Sequence, residues 1–198
     1  MRAQAHTLEG VVAAGIVVAS LVFALQVTAV TPLSASTASQ HIENQERASA
    51  MGVLAAADDS GALRRAVLYY NETEQHFHGS GQAGFYTDEE NVTSTALGTM
   101  LVEQFGDQGI AFNVNFIYYD TVGEKRSRRF IFQGSPSDNA VSASKTVTLY
   151  EDDKLVQANR TTDPLSTVSS ADFYAPKATT SDTGLYNIVE VEVVVWRM

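Results

Sequence analysis

From Val11 to Val30 the chain carries no charge: Val, Ala, Ile, Leu, Phe and Gly fill the block, and only Ser20, Gln26 and Thr28 interrupt it. Twenty helical residues at ~1.5 Å each span ~30 Å, the thickness of a bilayer's hydrocarbon core. The stretch reads as one transmembrane helix. Arg2 is the only basic residue ahead of it, and the first charges after it are Glu43, Glu46 and Arg47. That bias favours a cytoplasmic N-terminus, which leaves the remaining domain outside the cell.

The residues ahead of the span, Met-Arg-Ala-Gln-Ala-His-Thr-Leu-Glu, are too few and too weakly basic for an ordinary secretory leader, and no small-residue cleavage site is set off after the apolar run. Arg2-Ala3-Gln4 is instead a basic residue, a small residue and then the approach to an apolar helix. This N-terminus resembles the type IV pilin and archaellin family, whose leaders are cut before the apolar segment. The resemblance implies processing between Ala3 and Gln4. A cut before Ala5 is the alternative, and it would make Glu9 the fifth mature residue, where many pilins carry a glutamate. In that family the glutamate pairs with the free amine of a neighbouring subunit during assembly. Chemistry alone offers a second account of Glu9: a carboxylate in a first helical turn is favoured by the macrodipole and lies within reach of headgroup water.

The chain has 198 residues, and with about 30 committed to the membrane segment the remainder is one domain by length. It has no cysteine, which excludes disulfides, thiolate metal sites and cysteine nucleophiles. The net charge is −10, with four Lys against nine Arg. Such a surface repels nucleic acid and stays soluble in high salt; acidic, lysine-poor exported proteins of halophilic archaea have the same composition.

Thr31-Pro32 marks a kink or a restart, with Thr as cap and Pro at a first helical position. Beyond it Ala38, Ile42, Ala50, Val53, Leu54 and Ala57 form one stripe at helical spacing, so the helix continues out of the membrane. Asp58 to Gly61 is a break; Ala62 to Tyr70 is a short helix or strand; Asn71 to Gly84 reads as loop. A second amphipathic helix covers Thr93 to Phe105, capped by Ser94 or Thr95 and stopped by Gly106. From Ile110 the period changes to two. Ile110 to Tyr118 and Arg128 to Gln133 form a hairpin around Asp120–Glu124, followed by a strand over Val141–Tyr150, a short return through Leu155-Val156, a long connection over Asn159–Thr183, and a closing strand over Leu185–Trp196. The expected fold is α+β: a long N-terminal transmembrane helix packed on a mainly antiparallel sheet of four or five strands, as in pilins. The expected segments are a leader and helix entry (1–9), a transmembrane helix (10–31), an extramembrane continuation (32–58) and an extracellular head (59–198).

The segment Pro136–Val147, taken with the leader and the closing Val193-Val194-Val195-Trp196-Arg197-Met198, resembles an uncharacterised family of haloarchaeal membrane proteins with pilin-like N-termini. The resemblance covers most of the chain and carries no assigned activity.

Other motifs point to little chemistry. His76 and His78 alternate as a metal pair would, but no third ligand is evident, and a solvated polar loop is the better reading. No nucleophile elbow, zincin helix or Walker loop occurs, so neither catalytic residues nor a cofactor is expected. Lys125, Arg126, Arg128 and Arg129 are the one basic cluster; in an acidic domain they suit a solvated turn, or contact with an acidic neighbouring subunit, rather than nucleic acid. Asp58-Asp59 and Asp152-Asp153 lack calcium-loop spacing and read as turns. Asn71, Asn91 and Asn159 each begin a glycosylation sequon. The tyrosines at 69, 70, 118 and 119 read as packing rather than as a ligand platform.

The expected function is therefore structural: a pilin-like, membrane-anchored subunit of an archaeal type IV pilus-type surface filament, with sibling pilins, a prepilin peptidase and the pilus assembly machinery as partners. Small residues Gly10, Ala13, Ala14 and Gly15 would permit close helix approach. The alternative is a single-pass membrane protein whose extracellular domain binds or scaffolds and never polymerises.

Overall fold

The structure is a computed structural model that describes the backbone of residues 2–156, 161–178 and 183–198. Side chains are described for the same residues except 2–7, 27–39 and 161–163. Two compact units emerge, Met1–Ile42 and Glu43–Met198. The first is helical throughout its described length. It belongs to α1 (Arg2–Asp59), whose helical assignment runs through Thr31 and Pro32 without a restart; proline costs a helix one donor and crowds the preceding turn, but does not forbid it.

The second unit is an α+β fold. It contains the last part of α1, then α2 (Ala62–Leu68), a small hairpin of β1 (Tyr70–Asn71) and β2 (His76–Phe77), and the helices α3 (Glu89–Val92) and α4 (Ala96–Phe105). Six strands follow: β3 (Ile110–Tyr119), β4 (Lys125–Phe132), β5 (Val141–Tyr150), β6 (Lys154–Val156), β7 (Thr161–Pro164) and β8 (Leu185–Arg197). The main sheet has the order β4-β3-β8-β5 and is antiparallel throughout. β6 and β7 form a separate antiparallel pair.

Period-two alternation decides which face of the sheet is buried. Phe112, Val114 and Phe116 of β3, Val189, Val191, Val193 and Val195 of β8, and Val141, Val147 and Leu149 of β5 all join one apolar core. The helices contribute Ala50, Val53, Leu54 and Ala57 from α1, Leu63 and Val67 from α2, and Leu97, Leu101 and Phe105 from α4. Ile42, which the sequence placed in the same stripe, is exposed. Two ion pairs tie α1 to the sheet: Glu46 to Arg197 at 2.7 Å and Asp58 to Lys145 at 3.2 Å.

Several sequence expectations need correction. Alternation breaks in β4, where the register shifts between Val114 and Asn115 of β3 so that Phe130 is an extra residue. Phe130 and Ile131 are consequently both fully buried, as a bulge permits. The stretch from Asn71 to Gly84 is not simply loop: it holds the β1–β2 hairpin, with Gln75 in the left-handed region (φ 57°), and it buries Phe77 completely. Two other readings hold: of the helix and strand left open for Ala62 to Tyr70, the helix forms, over Ala62–Leu68. Of the two expected caps, Ser94 and Thr95, it is Thr95 that caps α4, its hydroxyl accepting from the Gly98 N–H at 3.1 Å. Gly106 keeps right-handed helical angles, and the left-handed stop comes at Gly109 (φ 65°), after one further turn of tighter helix.

Candidate functional site

The sequence directs attention first to α1. Leu8–Gln26 is a 19-residue stretch long and apolar enough to cross a membrane, a property shared by membrane anchors and signal sequences. All of its side chains are exposed. Its polar groups are few: Glu9 is exposed, and Ser20 donates back to the Ile16 and Val17 carbonyls at 2.7 and 3.1 Å, which satisfies its hydroxyl within the helix. A Cβ built on Gly10 or Gly15 meets nothing within 4 Å, and Ala13 and Ala14 are exposed as well, so backbone can approach closely there. The Arg2, Ala3 and Gln4 side chains lie outside the described residues.

The other sequence candidates are dispersed over the head. Asn71 is partly engaged: its Nδ2 donates to Glu74 at 2.8 Å, and its Oδ1 accepts from the Thr73 and Glu74 amides. Asn91 is exposed on α3, with Nδ2 donating to Asp88 at 3.2 Å. Asn159 lies outside the described residues. His76 approaches Glu74 at 3.4 Å. The His78 ring lies 4.8 Å from that of Tyr69. Burial lowers the His78 pKa, partly offset by the Tyr70 backbone and Glu74. Among the described residues no three His, Cys, Asp or Glu side chains converge as a metal site would require.

The basic cluster is largely spent within the molecule. Arg126 bridges Asp120 and Glu124 at 2.9 Å each, Lys125 faces Glu190 at 3.6 Å, and Arg129 stacks over Phe132 with 4.6 Å to the ring centroid. The amide of Glu124, then Arg126 and the amide of Val122, hold Asp120 below the usual carboxylate range. Arg128 differs from these three. It is half-buried, makes one hydrogen bond among the described residues, to the Gln75 carbonyl at 3.2 Å, and lines a cavity of about 450 Å³.

That cavity was not foreseen from the sequence. Tyr70, Tyr118, Phe173 and Tyr174 form its aromatic wall, with Arg126, Arg128 and Asp120 alongside. Strand register builds it: Arg126 lies opposite Tyr118 and Arg128 opposite Phe116, so the same parity that buries phenylalanine higher in β3 brings arginine and tyrosine together lower down. Tyr174 is anchored by its hydroxyl, which donates to the Val67 carbonyl at 3.0 Å. The only available signal was that parity; Phe173-Tyr174, in a long polar connection, gave none.

A family profile, described as a family of unknown function (DUF7288), matches residues 2–195. The chain belongs to that family. Its extent takes in the apolar helix and the head as far as residue 195, so family membership is a property of the two units together. No curated protein and no solved structure matches the chain.

Proposed function

We propose that this DUF7288 member is a pilin-like subunit, anchored in the membrane by Leu8–Gln26 and assembled through that helix into an archaeal type IV pilus-type surface filament. The observation that carries the reading is the helix itself: an apolar surface 19 residues long, headed by a single carboxylate, Glu9, and notched by Gly10 and Gly15. In lipid that surface stores the subunit; against sibling helices it packs into a filament core. Removal of the residues before Gln4, or before Ala5, frees an amine for Glu9 of a neighbour. In this account the head is extracellular and acidic, Asn71, Asn91 and Asn159 are its sites for glycan, and a prepilin peptidase and an assembly platform are the partners. No catalytic role is assigned to it.

The test is the mature N-terminus of protein purified from its own membrane, by intact mass and peptide mapping. A chain beginning at Gln4 or Ala5 supports the filament subunit. A chain retaining Met1 or Arg2 overturns it and leaves the non-polymerising anchored domain as the account.

A further inference from the structure

The cavity beside β3 and β4 is used neither by core packing nor by the filament role. Its volume of about 450 Å³ falls in the range of small-molecule sites, roughly 300–1,000 Å³. Arg128, Tyr70 and Tyr118 are among the hydrogen-bond donors that line it. The Arg128 guanidinium spends one N–H on the Gln75 carbonyl and has no carboxylate partner among the described residues. The hydroxyls of Tyr70 and Tyr118 make no hydrogen bond among the described residues, and neither is sealed from solvent. Burial raises both phenol pKa values, with Arg128 opposing it, so both remain protonated donors at neutral pH.

The acid at the rim does not compete for Arg128. Asp120 already accepts from Arg126 and from the Val122 and Glu124 amides. In a chain of net charge −10, a half-buried arginine with no acidic partner among the described residues marks a place where an anion is wanted. Its planar fork suits a carboxylate better than a spherical ion. Tyr118 and Phe173 supply apolar lining, and the two phenols can also accept hydrogen bonds from hydroxyls.

We infer that this cavity binds a hydroxylated carboxylate of one-ring size, of which a hexuronic acid is the simplest member, with Arg128 gripping the carboxylate and Tyr70 and Tyr118 meeting its oxygens. The inference does not depend on filament assembly, and the two fail in different experiments.

The full chain in detergent micelles is titrated with D-glucuronate at fixed ionic strength, by calorimetry and saturation-transfer NMR, beside D-glucose and sulfate. Glucuronate binds saturably, and glucose binds at least about tenfold more weakly, the loss expected for a charge-assisted pair. Arg128→Gln weakens glucuronate by about tenfold or more, Arg128→Lys by less, and Tyr118→Phe by about threefold. Tyr118→Phe keeps the ring, so it carries the test even where Arg128→Gln disturbs folding. The inference is overturned by absence of saturable glucuronate binding, by equal binding of glucose, by binding that neither Arg128→Gln nor Tyr118→Phe alters, or by sulfate binding as well as glucuronate, which would make the cavity a general anion site.

Discussion

Glu46 of α1 accepts a hydrogen bond from Arg197 of β8, Oε1 to Nε at 2.7 Å, across 151 positions of sequence. The partners are not equivalent, because the glutamate side chain is 6% exposed and the arginine 60%. Arg197→Ala leaves a buried carboxylate without its charged partner and is expected to cost about 1–3 kcal/mol. Glu46→Gln leaves an arginine that water can solvate and should cost less than about 1 kcal/mol. Lys145→Ala, which removes a pair exposed on both sides, should cost about 0–0.5 kcal/mol. Urea denaturation of the three variants ranks them; equal losses would contradict the asymmetry.

Gly98→Ala reverses the usual helix-propensity rule. Alanine is favoured over glycine in a helix by about 1 kcal/mol, yet a Cβ on Gly98 would stand 1.9 Å from the Val92 carbonyl oxygen. Backbone cannot yield as a flexible side chain can, so α3 and α4 must separate. A net loss of about 1–3 kcal/mol is expected, read as a lowered denaturation midpoint; a stabilised variant would refute the close approach.

The Tyr186 hydroxyl is buried with no hydrogen-bond partner among the described residues, and burial pushes its pKa up to about 12. A folded-state pKa raised above the unfolded value means that the stability tied to the neutral phenol is complete below about pH 10 and is lost as pH rises through about 12. Tyr186→Phe should equal or exceed the parent by about 1 kcal/mol at pH 7, and should lose less on going to pH 11. Guanidinium titrations at both values test the sign, since Tyr70, Tyr86, Tyr118 and Tyr174 are common to both proteins.

Glu9→Ala separates anchoring from assembly. The substitution removes the one charge of Leu8–Gln26, so membrane insertion should be unchanged or improved. On the filament reading, surface filaments containing this chain fall sharply, counted by electron microscopy against membrane-fraction abundance. Unchanged filaments would remove Glu9 from the assembly role.

How far the sequence could be read depended on how locally each element is encoded. The helix of Leu8–Gln26, the α4 cap, left between Ser94 and Thr95, and the strands β3, β5 and β8 each carry their periodicity or capping residue within a short window, so they were legible; β7 (Thr161–Pro164), inside what reads as a connection, was not. Phe77 and Phe173-Tyr174 were not, because each is a lone aromatic patch in polar surroundings whose burial is decided by partners far away in sequence. Phe77 packs against Phe116 and Phe130, and Tyr174 against Tyr70 and Phe116. The bulge at Phe130 was hidden for a similar reason: alternation gives parity but not where the partner strand skips. The cavity at Arg128 depends on all of these placements at once, which is why its arginines read as a solvated turn or a subunit contact and not as part of a cavity.

β8 is hydrogen-bonded on one side to β3 and on the other to β5, although both precede it in the chain. The strand made last is thus the keystone: until residues 185–197 have been synthesised and delivered, β3–β4 and β5 are separate pieces with two raw edges between them. The head cannot mature progressively behind the ribosome. On the proposed topology, with the apolar helix in the membrane and the head outside, the residues after the helix would cross the membrane still unfolded and close only on arrival, which would keep the chain threadable during export and make loss of β8 fatal to the sheet.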